Sequence, residues 1–96
     1  MNGETKTKNE SDLAYVLASI DDEDSIAKLL EDLFTVREIR DLESRLHVAK
    51  LLSEGVSYVE IEKATGASAT TIARVSKCLN SGSGGYKIAL GLLEKD

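Results

Sequence analysis

Ninety-six residues suffice for one domain, or one domain with tails, and the core that such a chain can bury is modest. There is no Pro and no Trp, only four aromatics, and an abundance of Leu, Ile, Val, Ala, Glu and Lys, which favours an all-α chain. A single cysteine excludes a disulfide framework, no stretch reaches the length of a membrane span, and no secretory signal opens the sequence, so a cytoplasmic protein with no membrane partner is expected. The net charge of −5 argues against a generic nucleic-acid binder and turns attention to how the charge is distributed. Between residues 11 and 33, seven carboxylates face only Lys28, giving −6 there and leaving +1 on the rest of the chain.

Residues 1–10 are polar and charged and read as a disordered tail. Residues 11–96 read as the helical domain. Leu13, Val16, Leu17 and Ile20 keep helical spacing, giving a first helix near 11–20. Asp21 to Asp24 punctuate the chain; one Asp can cap the next helix and the others favour its positive end. Ile26, Leu29, Leu30 and Leu33 then form an apolar stripe running to Phe34.

Thr35 and Glu38 form a T-x-x-E capping box that starts the longest helix, to about Glu54. Its apolar set is Val36, Ile39, Leu42, Leu46, Ala49 and Leu52, widened by Val48 and Leu51. A helix apolar over more than one narrow face packs against several helices or a partner subunit. Gly55 ends it.

Residues 57–80 carry most of the functional signal. Ser57 and Glu60 form a second capping box, and Val56 can staple onto Ile61. Gly66 suits a left-handed helix end, and Ser68 is a good N-cap for a following helix. A short helix, a turn and a second helix make a helix-turn-helix, whose second helix can enter the major groove of double-stranded DNA. Ile61, Ile72, Val75 and Leu79 bury the pair, so the opposite face of the second helix holds Thr70, Ala73, Arg74 and Lys77. No carboxylate lies between Ser68 and Asn80. Small side chains let a helix approach base edges, while Arg and Lys meet phosphates or guanine. The spacing is equally that of an ordinary helical hairpin with a solvated face.

Ser81 to Gly85 form a flexible break. Tyr86 to Leu93 form a last short helix with Ile88, Ala89, Leu92 and Leu93 available for packing.

His47 has no partner at ligand spacing and reads as a partly exposed helix residue, and Cys78 as a small half-buried thiol. No nucleotide-binding loop, Ser-His-Asp set, metal cluster or paired carboxylates appear, so an enzyme is not expected and neither is a metal or cofactor. Arg45 and Arg74 read either as solvated surface or as two planar cations that sandwich a small ligand or phosphate.

From Leu33 to Asn80 the chain resembles the Trp repressor family. The pattern is Leu33-Phe34-Thr35, Arg37-Glu38, Leu42, Ser44-Arg45, Leu51-Leu52, Gly55, Ile61, Thr65-Gly66-Ala67 and Thr71-Ile72-Ala73-Arg74. It is most similar to the YerC/YecD-type branch, with GAS-x-x-TI-x-RV at the second helix of the motif. The resemblance implies a six-helix fold in which two chains interleave their terminal helices. It also implies a homodimer that reads a palindromic operator, as a transcriptional regulator of the repressor type. The DNA-contacting set on this sequence is then Ser68, Ala69, Thr70, Thr71, Ala73, Arg74 and Lys77, of which Ala69, Thr70 and Ala73 match base-facing positions. The effector pocket implied is Thr35, Arg45, Arg74 and Cys78, with the two arginines matching those that flank the corepressor ring. Val75 stands where the repressor has Gly, and Cys78 where it has a Ser that meets the ligand's amino group. The turn before the motif is one residue shorter, and its first helix offers only Lys63 beside Glu60 and Glu62. These departures point away from tryptophan and toward a different small-molecule effector or none. The reading from another class is a helical interaction module that docks a transcription component through its acidic first helices; the carboxylate-free face of 68–80 favours DNA.

Overall fold

A computed structural model describes residues 12–94, and the expected tail 1–10 lies outside them. Six helices follow in chain order: α1 (Asp12–Ser19), α2 (Glu23–Leu33), α3 (Val36–Ser53), α4 (Tyr58–Thr65), α5 (Ala69–Ser81) and α6 (Gly85–Glu94). No strand occurs among the described residues, so the fold is the all-α, six-helix arrangement that periodicity indicates. Contacts divide it into two units, one ending at Ile39 and the other starting at Arg40, with the boundary inside the first turns of α3.

In the first unit the helix ends are set by side chains. The Ser19 hydroxyl donates to the Tyr15 carbonyl at 2.8 Å where α1 stops. Asp22 is the acid of the 21–24 run that caps α2, its carboxylate accepting from the Ser25 N–H at 2.9 Å. Thr35 and Glu38 close both halves of their box: the Thr35 N–H donates to the Glu38 carboxylate at 2.9 Å, and the Glu38 N–H donates to Thr35 Oγ1 at 3.1 Å. Neither α1 nor α2 has a buried residue. Leu13 is 51% exposed and Val36, at the start of α3, 68%.

The second unit holds the core. Val48 and Ala49 of α3, Ile61 of α4, Ile72 and Val75 of α5 and Leu90 of α6 form one buried cluster, and Leu46, Leu51, Leu52, Val56, Ala67, Leu79 and Tyr86 pack around it. The α3 stripe is therefore buried only toward its C-terminal end, and Leu42 is exposed. The end of α3 is a Schellman turn. The Val56 N–H donates to the Leu51 carbonyl and the Gly55 N–H to the Leu52 carbonyl, with Gly55 at φ +83°. Val56, the next residue, joins the core and fixes the entry into α4.

In α6 the residues that meet the core are the buried Leu90 and the half-buried Tyr86, while Ile88, at 70% exposure, Leu92 and Leu93 are exposed and so remain available for packing against another surface. The i, i+3, i+4 face of a ten-residue helix admits only one such set, and Ile88 and Leu92 share the other side. Cys78, expected half-buried, is exposed, because Val75 and Leu79 take the inward positions on α5.

Candidate nucleic-acid interface and effector cavity

The α4–turn–α5 segment is held by three side chains and one glycine. Ser57 caps α4 by accepting from the Glu60 N–H at 3.2 Å. At the other end Gly66 has φ +75°, a conformation that a side chain would strain, and its N–H donates to the Glu62 carbonyl at 2.8 Å. Thr65 ties the turn from both sides: its hydroxyl donates to the Ile61 carbonyl at 2.8 Å and accepts from the Ala67 N–H at 3.1 Å. Ser68 then caps α5, its oxygen accepting from the Thr71 N–H at 3.1 Å and its hydroxyl donating to Thr71 Oγ1 at 3.2 Å. Sequence reasoning missed the bracing by Thr65. The signal was a Thr immediately before the αL glycine, whose hydroxyl can bond locally in both directions.

This turn fixes the rotation of α5. Ile72 and Val75 point into the core, fully buried and 2% exposed respectively. Ala69, Thr70, Ala73, Arg74 and Lys77 are exposed together on the other side. Ser68 and Thr71, also in the expected DNA-contacting set, are engaged in the cap, Ser68 exposed and Thr71 half-buried. The solvent face of α5 is thus small, hydroxyl-bearing and basic, with no carboxylate in its thirteen residues.

Three of the four residues expected around an effector come together. Arg45 of α3 and Arg74 and Cys78 of α5 line a cavity of about 190 Å³, joined by Thr71, Val75 and Tyr86. Thr35 belongs to the first unit, where its side chain caps α3. Tyr86 was read only as the start of the last helix; nothing in its spacing ties it to Arg45 or Arg74, and only the packing of α6 on α5 brings it there. Among the described residues the ion pair formed is Lys50–Glu54, at 3.7 Å on the α3 surface, so both arginines are unpaired. A wider recess of about 450 Å³ runs from Arg40, Ser44 and Arg45 on α3 to the turn at Thr65 to Ser68, and Asp41 lies in it. No cluster of His, Cys, Asp or Glu suited to a metal occurs among the described residues. No helix among them is long and apolar enough to cross a membrane.

The family model described as Trp repressor protein matches residues 9–94. The chain is 45% identical over 74 residues to the uncharacterized protein YerC of Bacillus subtilis (strain 168), spanning 77% of this chain and 71% of that protein. It superposes on a TrpR-like protein from Eubacterium eligens ATCC 27750 with a TM-score of 0.84 at 38% identity, covering 93% of this chain and 92% of the other. A protein put forward as a Trp repressor from Staphylococcus aureus gives a TM-score of 0.81 at 32% identity, over 90% and 86% of the two chains. The members of this family are regulatory DNA-binding proteins, not enzymes. With nearly the whole chain matched in sequence and in fold, the chain belongs to the Trp repressor protein family, in its YerC-type branch.

Proposed function

We propose that this protein is a sequence-specific, DNA-binding transcriptional regulator of the cytoplasm that acts as a homodimer on a palindromic operator and represses. The observation that carries the reading is the sorting of α5: Ile72 and Val75 are buried, while Ala69, Thr70, Ala73, Arg74 and Lys77 are exposed with no acid among them. A face of that kind can lie in a major groove, with Thr70 and the two alanines at base edges and the cations at phosphates. The overall charge of −5 does not oppose this, because the acidic excess is concentrated in α1 and α2. It does limit sequence-blind affinity, since few phosphates are neutralised.

The dimer follows from the apolar surface that one chain leaves exposed on α1, on the first turns of α3 and on α6. A two-fold pair presents two copies of α5 to successive major grooves, which makes the operator palindromic. The cavity at Arg45, Arg74 and Cys78 is the proposed effector site.

Selection of bound sequences from a randomised duplex library, repeated at several salt concentrations, tests the proposal. The expected result is an enriched palindrome whose binding weakens steeply with salt. Salt-independent retention of no preferred sequence, with capture of a transcription component through α1 and α2, would favour the interaction-module reading instead.

A further inference from the structure

The side chains on the exposed face of α5 limit which base edges it can read. In a helix-turn-helix the N-terminal residues of the second helix meet the bases. On α5 these are Ala69, Thr70 and Ala73, all exposed, with Arg74 and Lys77 following on the same side. Ser68 and Thr71, the other hydroxyls at this end of the helix, are engaged in the cap. The two alanines and the threonine all present methyl groups, and the Thr70 hydroxyl is the single polar group among the three. In the major groove the amino groups of adenine and cytosine are read by side-chain amides and carboxylates. No carboxylate occurs on α5, and its one amide is Asn80 in the last turn. That amide lies about 10 Å along the axis from Ala73, at about 1.5 Å per residue, and it donates to Ser76 Oγ at 3.4 Å. What remains is apolar contact with the 5-methyl group of thymine, which Ala and Thr side chains make, and guanine or phosphate for the two cations.

We infer that each half-site is read chiefly through thymine 5-methyl groups, which Ala69 and Ala73 contact, and that 5-methylcytosine in the same place is bound more tightly than cytosine. The inference rests on the DNA-binding reading above and names the base chemistry of that same face. Ala69 and Ala73 stand one turn apart on one side of the helix, their Cβ atoms about 6 Å apart. That distance spans about two base-pair steps of about 3.4 Å each, so the two methyls belong to neighbouring base pairs. Thr70 adds one hydrogen bond to a base edge beside them. With no amide or carboxylate near these methyls, discrimination turns on the methyl itself and on two side chains small enough to reach it.

Base-analogue titrations of the full chain on its selected operator test this. Replacing a thymine by deoxyuridine removes the 5-methyl group and leaves the pairing groups in place. At one or two thymines in each half-site the exchange should weaken binding about fourfold, the worth of one buried methyl, and at the other thymines it should not. At the sensitive positions 5-methylcytosine paired with guanine should bind about twofold or more tighter than cytosine paired with guanine. Ala73→Gly should abolish the uridine effect at one of these positions and Ala69→Gly at another. Each variant is compared on its own thymine and uridine duplexes, so the cost of a glycine to helix stability cancels. Lys77→Ala should lower affinity and leave the ratio of thymine to uridine binding unchanged. A selected operator in which every thymine tolerates uridine, or whose half-sites contain no thymine, overturns the methyl readout and leaves the DNA reading standing. Equal binding of cytosine and 5-methylcytosine at the sensitive positions does the same. A uridine effect that survives both glycine variants also overturns the inference, because the methyl then acts through the duplex or another part of the chain. A chain that selects no sequence overturns the DNA reading itself, and the methyl readout with it.

Discussion

The two units of this chain solve the burial problem differently. The unit from Arg40 onward contains every buried residue described: six apolar side chains from four helices, with half-buried neighbours around them. The unit ending at Ile39 contains none, although Leu13, Val16, Leu33 and Val36 are as apolar as the residues of that core. Its helix starts are marked by local devices, namely the Asp22 cap and the Thr35–Glu38 box, each worth about 1 kcal/mol, and its apolar side chains are at most half-buried. Caps of that size define where helices begin but do not hold short helices together in water. The comparison teaches that one unit is shaped by its own packing, while the other leaves apolar surface exposed, which the proposed dimer would cover.

The largest effect should come from the core. Ile72→Ala removes a fully buried side chain that faces α3, α4 and α6 residues in the same cluster, and should cost about 2–5 kcal/mol in urea unfolding. Val36→Ala sharpens the contrast. At 68% exposure it should cost almost nothing in a lone chain, so a loss of about 1 kcal/mol or more points to burial in a dimer. An Ile72→Ala protein as stable as the parent would break the comparison outright.

Association comes next. Sedimentation at micromolar concentration should show a dimer, because a small core and uncovered apolar helices leave the single chain marginal. Placing a charge in the uncovered set, as in Leu13→Lys, should weaken association at least tenfold while helical content in the second unit persists. A stable, folded monomer of the unaltered chain would remove both the dimer and the palindrome.

Within the second unit the exposed face of α5 should divide by chemistry. Thr70→Ala should change the ranking of DNA sites, each affected base being worth about 1–3 kcal/mol. Lys77→Ala should weaken all sites alike and lower the salt slope by about 0.9, one phosphate contact. If both substitutions act identically across a randomised library, the assignment of roles on α5 fails.

Helix ends were legible in both units. Ser57, Gly66 and Ser68 mark α4 and α5 because caps and αL residues act through neighbours in the chain, and all three stand where the local rules put them. The burial of Ile61, Ile72 and Val75 followed from helical spacing for the same reason. The sequence was less clear about α6 and Cys78. Ile88 and Leu90 are equally apolar, and only the orientation of α6 against α5 decides that Leu90 is covered. The candidate effector cavity was half legible: Arg45 and Arg74 stand out as planar cations, but Tyr86 joins them through tertiary packing that no spacing encodes.

The smallest expected effect is that of L-tryptophan, which should neither bind tightly nor raise operator affinity. Val75 is only 2% exposed and lines the cavity, so its methyls are held by the core and cannot swing aside for a larger ring. A buried overlap there costs about 1–3 kcal/mol. The exposed Cys78 thiol is a weak acceptor for the amino group, and the two arginines that share the cavity repel it. Each 1.4 kcal/mol or so is about a factor of ten, so these terms together remove roughly tenfold to several hundredfold in affinity. Titration of the purified protein with tryptophan, with operator binding followed in parallel, measures both quantities. A dissociation constant in the range of about ten micromolar with a matching rise in DNA affinity would mean that Val75 and Cys78 yield more than their packing and chemistry imply. It would also mean that the size limit set by the 190 Å³ cavity is not the one that the ligand meets.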